Sequence, residues 1–162
     1  NLRKPGNPWY TGSFDFRDVF TLISGYRIDM REKEWYKNLN KKAWWDYVAW
    51  LVSPGDEFEV SMRFNYNQGR PYTKQTYDPY LRDWYTQWNT AINEERLPDY
   101  HRLDIMIKRR WIFKNSALIT YIDWMNVYNR KNIWNYGYKS NGEIEEVNQY
   151  LSTLVGGFVW EF

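Results

Sequence analysis

The amino-acid sequence predicts an all-β fold of about five antiparallel strands, each with one apolar and one polar face. Three observations support this prediction: segments in which apolar and polar residues alternate, an aromatic content of 21%, and connections of very uneven length. Alternation is informative because successive side chains of a strand point to opposite faces of a sheet. Tilted strands of ~9–11 residues can cross a bilayer. The sequence therefore favours strands of a transmembrane antiparallel β-barrel.

The clearest alternation lies in residues 56–68. Alternate positions carry apolar side chains: Phe58, Val60, Met62, Phe64 and Tyr66. The positions between them are polar: Glu57, Glu59, Ser61, Arg63, Asn65 and Asn67. This segment is predicted to be a strand with lipid on one side and water on the other.

Residues 101–113 repeat the pattern. One face carries His101 and Arg109 among apolar residues: Leu103, Ile105, Ile107, Trp111 and Phe113. The other face is largely charged: Arg102, Asp104, Met106, Lys108 and Arg110. At ~3.3 Å per residue and a tilt of ~45°, such a strand reaches roughly 30 Å, enough to span the apolar core of a bilayer.

Three further strands are predicted at residues 14–30, 117–128 and 154–162. Residues 14–30 alternate less cleanly, since Asp18 and Ser24 fall among the apolar positions. Residues 117–128 place Leu118, Ile122, Trp124 and Tyr128 opposite Asp123. In residues 154–162 the side chains of Leu154, Phe158, Trp160 and Phe162 share a face.

The connections predict long loops on one side and short turns on the other, as barrels have. Residues 113–116 form a tight turn, whereas 69–100 and 129–153 are long, polar and aromatic. Residues 31–55 do not fit this scheme, because they form a long connection on the side where short turns are predicted. Within them Trp44, Tyr47, Val48 and Leu51 have helical spacing. They form either an aromatic-rich strand extension or packed loop, or an amphipathic helix at the membrane interface.

Composition excludes several classes. The net charge of +2 lacks the basic surface that nucleic-acid binding requires, so no nucleic-acid partner is expected. The absence of cysteine excludes disulfides and thiolate metal sites. No apolar run approaches the ~18 residues of a transmembrane helix. Residues 1–5 lack the apolar core of a signal peptide.

No residue pattern indicates catalysis, a cofactor or a metal. His101 is the single histidine, and Asp104, three residues away, would point to the opposite face of a strand. No nucleophile motif accompanies them. Glu143, Glu145 and Glu146 are best explained as a solvated acidic loop, although oxygen ligands of this kind can bind Ca²⁺. The chain is therefore not expected to be an enzyme.

Two sets of residues are candidates for binding. The first would face the lumen of a barrel and contact solute or an internal domain, or would simply be solvated: Glu59, Arg63, Asn65, Arg102, Asp104, Lys108, Arg110 and Asp123. The second lies in loop 69–100 and would form a ligand-capture surface or pack the loop on itself: Arg70, Tyr72, Tyr80, Trp84 and Trp88. The opposite, lipid-facing set is Phe58, Val60, Met62, Phe64, Leu103, Ile105, Ile107, Leu118, Ile122 and Trp160.

Several stretches together resemble the C-terminal strands of TonB-dependent outer-membrane receptors. Residues 97–104 (LPDYHRLD) resemble the antepenultimate strand, and residues 121–132 (YIDWMNVYNRKN) resemble the penultimate strand and the start of the last outer loop. Residues 64–73 (FNYNQGRPYT) resemble an earlier strand, and residues 155–162 the closing strand. The resemblance covers about half of the chain.

This resemblance implies a bacterial outer-membrane receptor that imports a siderophore, vitamin, sugar or peptide with energy from TonB. Such receptors have a barrel of about 22 strands around an N-terminal plug. Residues 1–162 would be a C-terminal segment without the plug, either a fragment or one piece of a split barrel. The expected partners are the bilayer, the remaining strands and plug, TonB, and the assembly machinery. The resemblance implies that this machinery reads the closing strand through Phe158, Trp160 and Phe162.

Two other interpretations stay open. A small, complete outer-membrane barrel with a lipid-modifying or adhesive role would need about eight strands. A soluble, aromatic-rich β-sandwich could bind carbohydrate through its Tyr and Trp side chains, which suit wet, partly apolar surfaces.

Overall fold

The structure is a computed structural model that describes residues 11–38 and 53–162. It is all-β, with antiparallel strands, as the sequence predicts. The five long strands are β1 (Val19–Asp29), β2 (Glu57–Asn67), β7 (Tyr100–Ile112), β8 (Ala117–Met125) and β11 (Thr153–Glu161). The short strands are β3 (Pro71–Tyr72), β4 (Thr76–Asp78), β5 (Asp83–Tyr85), β6 (Glu95–Arg96), β9 (Ile133–Tyr138) and β10 (Ile144–Asn148).

The five long strands form one sheet in the order β1-β2-β7-β8-β11. The register between β7 and β8 pairs Ile107 with Ile122 and Lys108 with Tyr121. Between β8 and β11, Leu118 pairs with Trp160 and Ile122 with Gly156. Directly paired residues point to the same face, so this register continues each face of one strand onto the next. Among the described residues, β1 and β11 have a neighbouring strand on one side only.

Two predicted strand boundaries were wrong. Residues 14–18 lie outside β1, and the Asp15 N–H donates to the Gly12 carbonyl and closes a turn before the strand. At the other boundary β8 ends at Met125, since Asn126 has a φ of 53°. That left-handed conformation cannot continue a strand, and Asn adopts it more readily than most residues.

The two long connections contain short strand pairs that alternation does not reveal. β3 pairs with β6, β4 with β5, and β9 with β10, all antiparallel. At Gly69, before β3, an added Cβ would collide with the carbonyl oxygen of Leu97. The close approach of these two backbone segments therefore requires glycine at this position.

Between β1 and β2 the described residues form a short 3₁₀ helix, Met30–Glu32, and the helix α1, Glu34–Lys37. The predicted amphipathic stretch with Trp44 and Leu51 lies outside the described residues. No helix in ranges 11–38 and 53–162 has the length and hydropathy needed to span a membrane.

The chain divides into two compact units. Unit 1 comprises the described residues of Asn1–Thr21, Asn65–Arg102 and Asn129–Leu151, and includes both long connections. Unit 2 comprises the described residues of Leu22–Phe64, Leu103–Tyr128 and Ser152–Phe162, and includes most of the long sheet.

Asp56 organises one end of unit 2. Its Oδ2 accepts a 2.6 Å hydrogen bond from the Ile112 N–H, and its Oδ1 accepts from the Tyr36 hydroxyl at 2.9 Å. Its backbone N–H donates to the Arg110 carbonyl at 2.8 Å. Gly55, with a φ of 79°, lets the backbone pass close to that carbonyl. These bonds join the residues that follow β1 to the end of β7.

Candidate functional site

The long sheet presents an apolar face in unit 2. We use this name for the following side chains: Phe58, Val60, Met62, Ile105, Ile107, Leu118, Ile122, Trp124, Leu154, Phe158 and Trp160. Many of them are exposed, including Ile122 (48%) and Phe158 (77%). Rows of paired residues, such as Ile105–Trp124–Leu154, run across β7, β8 and β11. Few buried apolar side chains accompany this exposed surface within the described part of unit 2.

The opposite, polar face carries ion pairs that join different strands of the sheet. Arg27 of β1 contacts Glu59 of β2 at 2.8 Å, between Nη2 and Oε2. Arg110 of β7 contacts Glu161 of β11 at 2.8 Å and Glu57 of β2 at 3.8 Å. The charged groups of these pairs are partly exposed, so each pair adds little stability. Together they form a charged surface that water can reach.

Asp104 is the exception on the polar face, because it is only 3% exposed. Its Oδ2 accepts from the Arg63 guanidinium at 3.1 Å, and its Oδ1 accepts from the Asn126 N–H at 2.9 Å. A buried carboxylate needs such partners to offset the loss of water. Asp104 therefore ties β2 to the end of β8 and acts as a structural residue of this face.

The other predicted lumen-facing residues lie as follows. In unit 2, Lys108 pairs with Tyr121 and Met106 with Asp123, so Lys108 and Asp123 share the face of Arg110. In unit 1, the Asn65 Oδ1 accepts from the Thr21 hydroxyl at 3.2 Å. Arg102 is half-buried. That these residues face a lumen stays a prediction.

In unit 1, Arg70 and Tyr72 belong to the packing between the two long connections. The Arg70 guanidinium lies 4.8 Å from the ring centroid of Trp134 and donates to its carbonyl at 3.1 Å. Tyr72 packs edge-on against Tyr136, with ring centroids 5.3 Å apart. Burial raises the pKa of the Tyr72 and Tyr138 phenols. These side chains hold connections 69–100 and 129–153 together.

Trp84 is the centre of a second aromatic cluster in unit 1. Its ring centroid lies 5.3 Å from Tyr77 and 4.8 Å from Tyr138. Its indole N–H donates to the Lys139 carbonyl at 2.7 Å, and the Tyr77 hydroxyl donates to the Ser140 carbonyl at 2.6 Å. The cluster fixes the hairpin β4–β5 against the β9–β10 hairpin.

Tyr80 and Trp88 differ from Arg70, Tyr72 and Trp84, because they are 96% and 97% exposed. Tyr80 lies in the turn between β4 and β5, where the Asp78 carboxylate accepts from its N–H at 2.8 Å. Trp88 follows β5. Leu81, also exposed, adds apolar surface beside Tyr80. Of the five predicted ligand-loop residues, only these two are fully available to a ligand.

Phe158 and Trp160 lie in β11, and Phe162 follows it. All three are substantially exposed, and Trp160 stacks on Phe113 at a centroid distance of 5.6 Å and an angle of 18°. The exposure leaves their side chains accessible to a partner. A role in assembly stays a prediction.

His101, the single histidine, lies at the start of β7 and is held there through its backbone. The His101 backbone N–H donates to the Asn132 Oδ1 at 3.2 Å, and the Asn132 side-chain amide donates back to the His101 backbone carbonyl at 3.0 Å. The Asn132 side chain thus pairs with the backbone of His101 in β7 as a neighbouring strand would. Within residues 11–38 and 53–162, no group of three or more potential ligands is placed to hold a metal ion.

Sequence reasoning missed three asparagines that shape these surfaces. Asn126 is buried and ends β8, Asn132 is buried beside β7, and Asn93 has a φ of 58°. The Asn93 amide donates to the Thr11 carbonyl at 2.6 Å. Asn is common in loops for many reasons, so the sequence alone offers no signal that separates these three.

Comparison of the chain with protein-family models, with curated proteins and with solved structures finds no match. The features that bear on function are therefore the two faces of the sheet in unit 2 and the exposed Tyr80 and Trp88 in unit 1.

Proposed function

We propose that this chain forms barrel strands of a TonB-dependent receptor in a bacterial outer membrane, which imports a scarce solute such as a siderophore, vitamin, sugar or peptide. The observation that carries the proposal is the apolar face, with exposed Ile107, Ile122 and Phe158. Large contiguous apolar surfaces are rare on soluble monomers and mark contact with lipid or another protein.

The opposite face supports a membrane location because it is charged but internally paired. Cross-strand pairs such as Arg27–Glu59 and Arg110–Glu161 suit a wet interior. Transmembrane barrels alternate apolar residues toward lipid with polar residues toward the lumen. A soluble sandwich instead buries the apolar faces of its sheets against each other.

The edges of the sheet support a larger assembly. In the described sheet, β1 and β11 each have a neighbouring strand on one side only. In lipid each unpaired backbone group costs several kcal/mol, so both edges need partner strands. We infer that further strands close the barrel, and that a plug, TonB and the assembly machinery are its other partners, as the family resemblance implies.

The exposed aromatics of unit 1 supply a surface for ligand capture in this proposal. Tyr80 and Trp88 present nearly their whole side chains on or next to the β4–β5 hairpin. Aromatic side chains with a polar tip bind sugars, aromatic chelators and peptides with little loss of conformational entropy. The proposed role is transport without chemical change of the solute.

Uptake by living cells tests this function. We expect the intact protein to fractionate with outer membranes, and deletion of its gene to abolish uptake of one scarce solute. Removing TonB should abolish the same uptake while leaving the receptor in the membrane. A Trp88→Ala receptor, assembled at normal levels, should take up that solute more slowly.

Two outcomes would contradict the proposal. Uptake that continues without TonB, together with a closed barrel formed by this chain alone, would favour the small complete barrel. A monomer that stays in solution without detergent and binds carbohydrate would favour the sandwich.

A further inference from the structure

β7 carries one cationic residue, Arg109, among the apolar residues of one of its faces. On the apolar face the strand presents Leu103, Ile105, Ile107, Arg109 and Trp111 in alternation. A charge facing lipid is costly at the centre of a bilayer and much less so near the interface. Arg109 lies three residues before the end of β7, which is roughly 10 Å along the strand. This position places it toward the 113–116 turn, near one interface of the proposed membrane span.

Within residues 11–38 and 53–162, Arg109 contacts one hydroxyl group and one aromatic ring. Its Nε donates to the Thr120 hydroxyl at 3.3 Å, and its guanidinium carbon lies 5.1 Å from the ring centroid of Trp111. Among the described residues, no carboxylate forms an ion pair with it. The Thr120 oxygen accepts the Arg109 bond, so its O–H stays available as a donor. The terminal amino groups of Arg109 add further donors of the same kind.

These two residues belong to a groove with one polar and one apolar part. Its lining includes Pro54, Phe58, Ile107, Arg109, Thr120 and Ile122. In the register, the pair Arg109–Thr120 lies one row closer to the tight turn than the pair Ile107–Ile122. The groove therefore has hydrogen-bond donors and a positive charge toward the turn, and aliphatic side chains away from it.

We propose that this groove binds an anionic phospholipid, an inference that rests on the proposed membrane location. The phosphate oxygens accept from the Arg109 amino groups and from the Thr120 hydroxyl. Guanidinium is suited to this, because its fork of donors matches two phosphate oxygens. An acyl chain then follows Phe58, Ile107 and Ile122 toward the middle of the bilayer.

Along the strands, aromatic, cationic and aliphatic residues follow one another in the order of the headgroup level, the phosphate and the acyl chain of a lipid. The aromatic pair Phe113 and Trp160, stacked at 5.6 Å, lies nearer the turn than Arg109. Aromatic side chains prefer the headgroup level of a bilayer. A long cationic side chain just inside that level extends toward the headgroups. The Arg109 guanidinium lies against Trp111, the next residue of this face in the direction of the turn.

Native mass spectrometry of the intact receptor tests the inference. The protein is purified in micelles with equal amounts of phosphatidylglycerol and phosphatidylcholine, and the retained lipids are identified. We expect preferential retention of phosphatidylglycerol and about a fivefold loss of that preference in Arg109→Gln, the size expected for one interfacial cation. Lys108→Gln is the matched control, since it removes a cation from the next residue on the opposite face.

Two more variants separate charge from geometry. Arg109→Lys keeps the charge but loses the fork of donors, so we expect an intermediate preference. Thr120→Val keeps the arginine and removes one donor, so we expect a smaller loss, and this variant replaces Arg109→Gln if the latter does not assemble. Equal preference in all variants and in the parent would overturn the inference. Displacement of the lipid by inorganic phosphate would also overturn it, because the site would then bind the ion alone.

A nitroxide at Ile107→Cys distinguishes the failure of this inference from that of the proposed function. If the label contacts lipid but Arg109→Gln keeps its preference, the phospholipid site is wrong and the membrane location stands. If the label does not contact lipid, both are wrong.

Discussion

The carboxylate of Asp104 accepts a 2.9 Å hydrogen bond from the backbone N–H of Asn126. The same carboxylate accepts from Arg63 at 3.1 Å through its other oxygen. One buried side chain of β7 thus holds a cation of β2 and the residue that ends β8. The polar face of β7 alternates in sequence like a row of solvated charges, but Asp104 on this face is buried and connects β2 to the residue that follows β8.

Replacement of Asp104 by Ala should destabilise unit 2. The buried Asn126 N–H would lose its acceptor and Arg63 its partner, a loss of about 1–3 kcal/mol. Thermal unfolding of the purified receptor, followed by heat-dependent gel mobility, measures the change. Asp123→Ala is the control, because Asp123 lies on the same face and is not buried. Equal effects of the two substitutions would show that burial of Asp104 does not matter.

The two faces of β7 should tolerate opposite changes. Ile105→Arg places a charge on the apolar face and should cost about 2–4 kcal/mol if the residue lies at mid-bilayer. Lys108→Ile changes the polar face and should leave assembly nearly intact. The amount of receptor assembled in the outer membrane is the measurement. Equal tolerance at both positions would contradict the proposed orientation of the sheet.

Replacing Trp84 should destabilise the loops of unit 1, whereas replacing Trp88 should not. Trp84→Ala removes the side chain between Tyr77 and Tyr138 and should loosen the loops by about 2 kcal/mol, less than for a fully buried Trp. Trp88→Ala should leave the loops unchanged, because the side chain is 97% exposed. Limited proteolysis of the folded receptor compares them. Faster cleavage of the Trp88 variant would contradict the packing described for unit 1.

Two half-buried tyrosine phenols of unit 1 should lose their protons at a higher pH than exposed tyrosines do. Burial raises the pKa of Tyr72 and Tyr138 above the ordinary value of 10.0, so the folded loops hold these protons more tightly than the unfolded chain does. The resulting stability is fully present below pH 10.0 and is lost as the pH rises through the raised pKa.

Phenolate absorbance measures this shift. The absorbance of the parent minus that of the double variant Tyr72→Phe/Tyr138→Phe reports these two phenolates. In the folded protein this difference should rise at a pH above 10.0, and in denaturant it should rise near pH 10.0. Two superimposable difference curves would show that partial burial does not raise the pKa of these phenols.

The sequence predicts the long strands well because alternation is a local property. Residues 57–67 and 100–112 therefore lie within a residue or two of their predicted bounds. Phe14 and Phe16 misled the prediction, since apolar spacing continues through a turn that backbone hydrogen bonds define. The pairing of β3 with β6 is also invisible locally, because a long stretch of chain separates the two strands.

The surfaces were harder to predict because exposure depends on partners from distant parts of the chain. Trp84 and Trp88 are the same residue type four positions apart, yet only Trp84 meets Tyr138. Asp104 alternates like its charged neighbours, yet it is buried and accepts from Arg63 and from the Asn126 N–H, which are distant in the sequence. Alternation shows Arg109 as a cation on an apolar face, but the groove beside it also needs residues of β8, which the sequence of β7 does not reveal.

Cysteine scanning along β2 tests the central claim most directly. The chain has no natural cysteine, so each introduced thiol reports one position. Nitroxide labels in the outer membrane are scored for contact with oxygen, which concentrates in lipid, and with a water-soluble paramagnetic reagent. The account predicts strict alternation: lipid contact at Phe58, Val60, Met62 and Phe64, and water contact at Glu59, Ser61, Arg63 and Asn65. Water contact at every position, or no alternation, would contradict it.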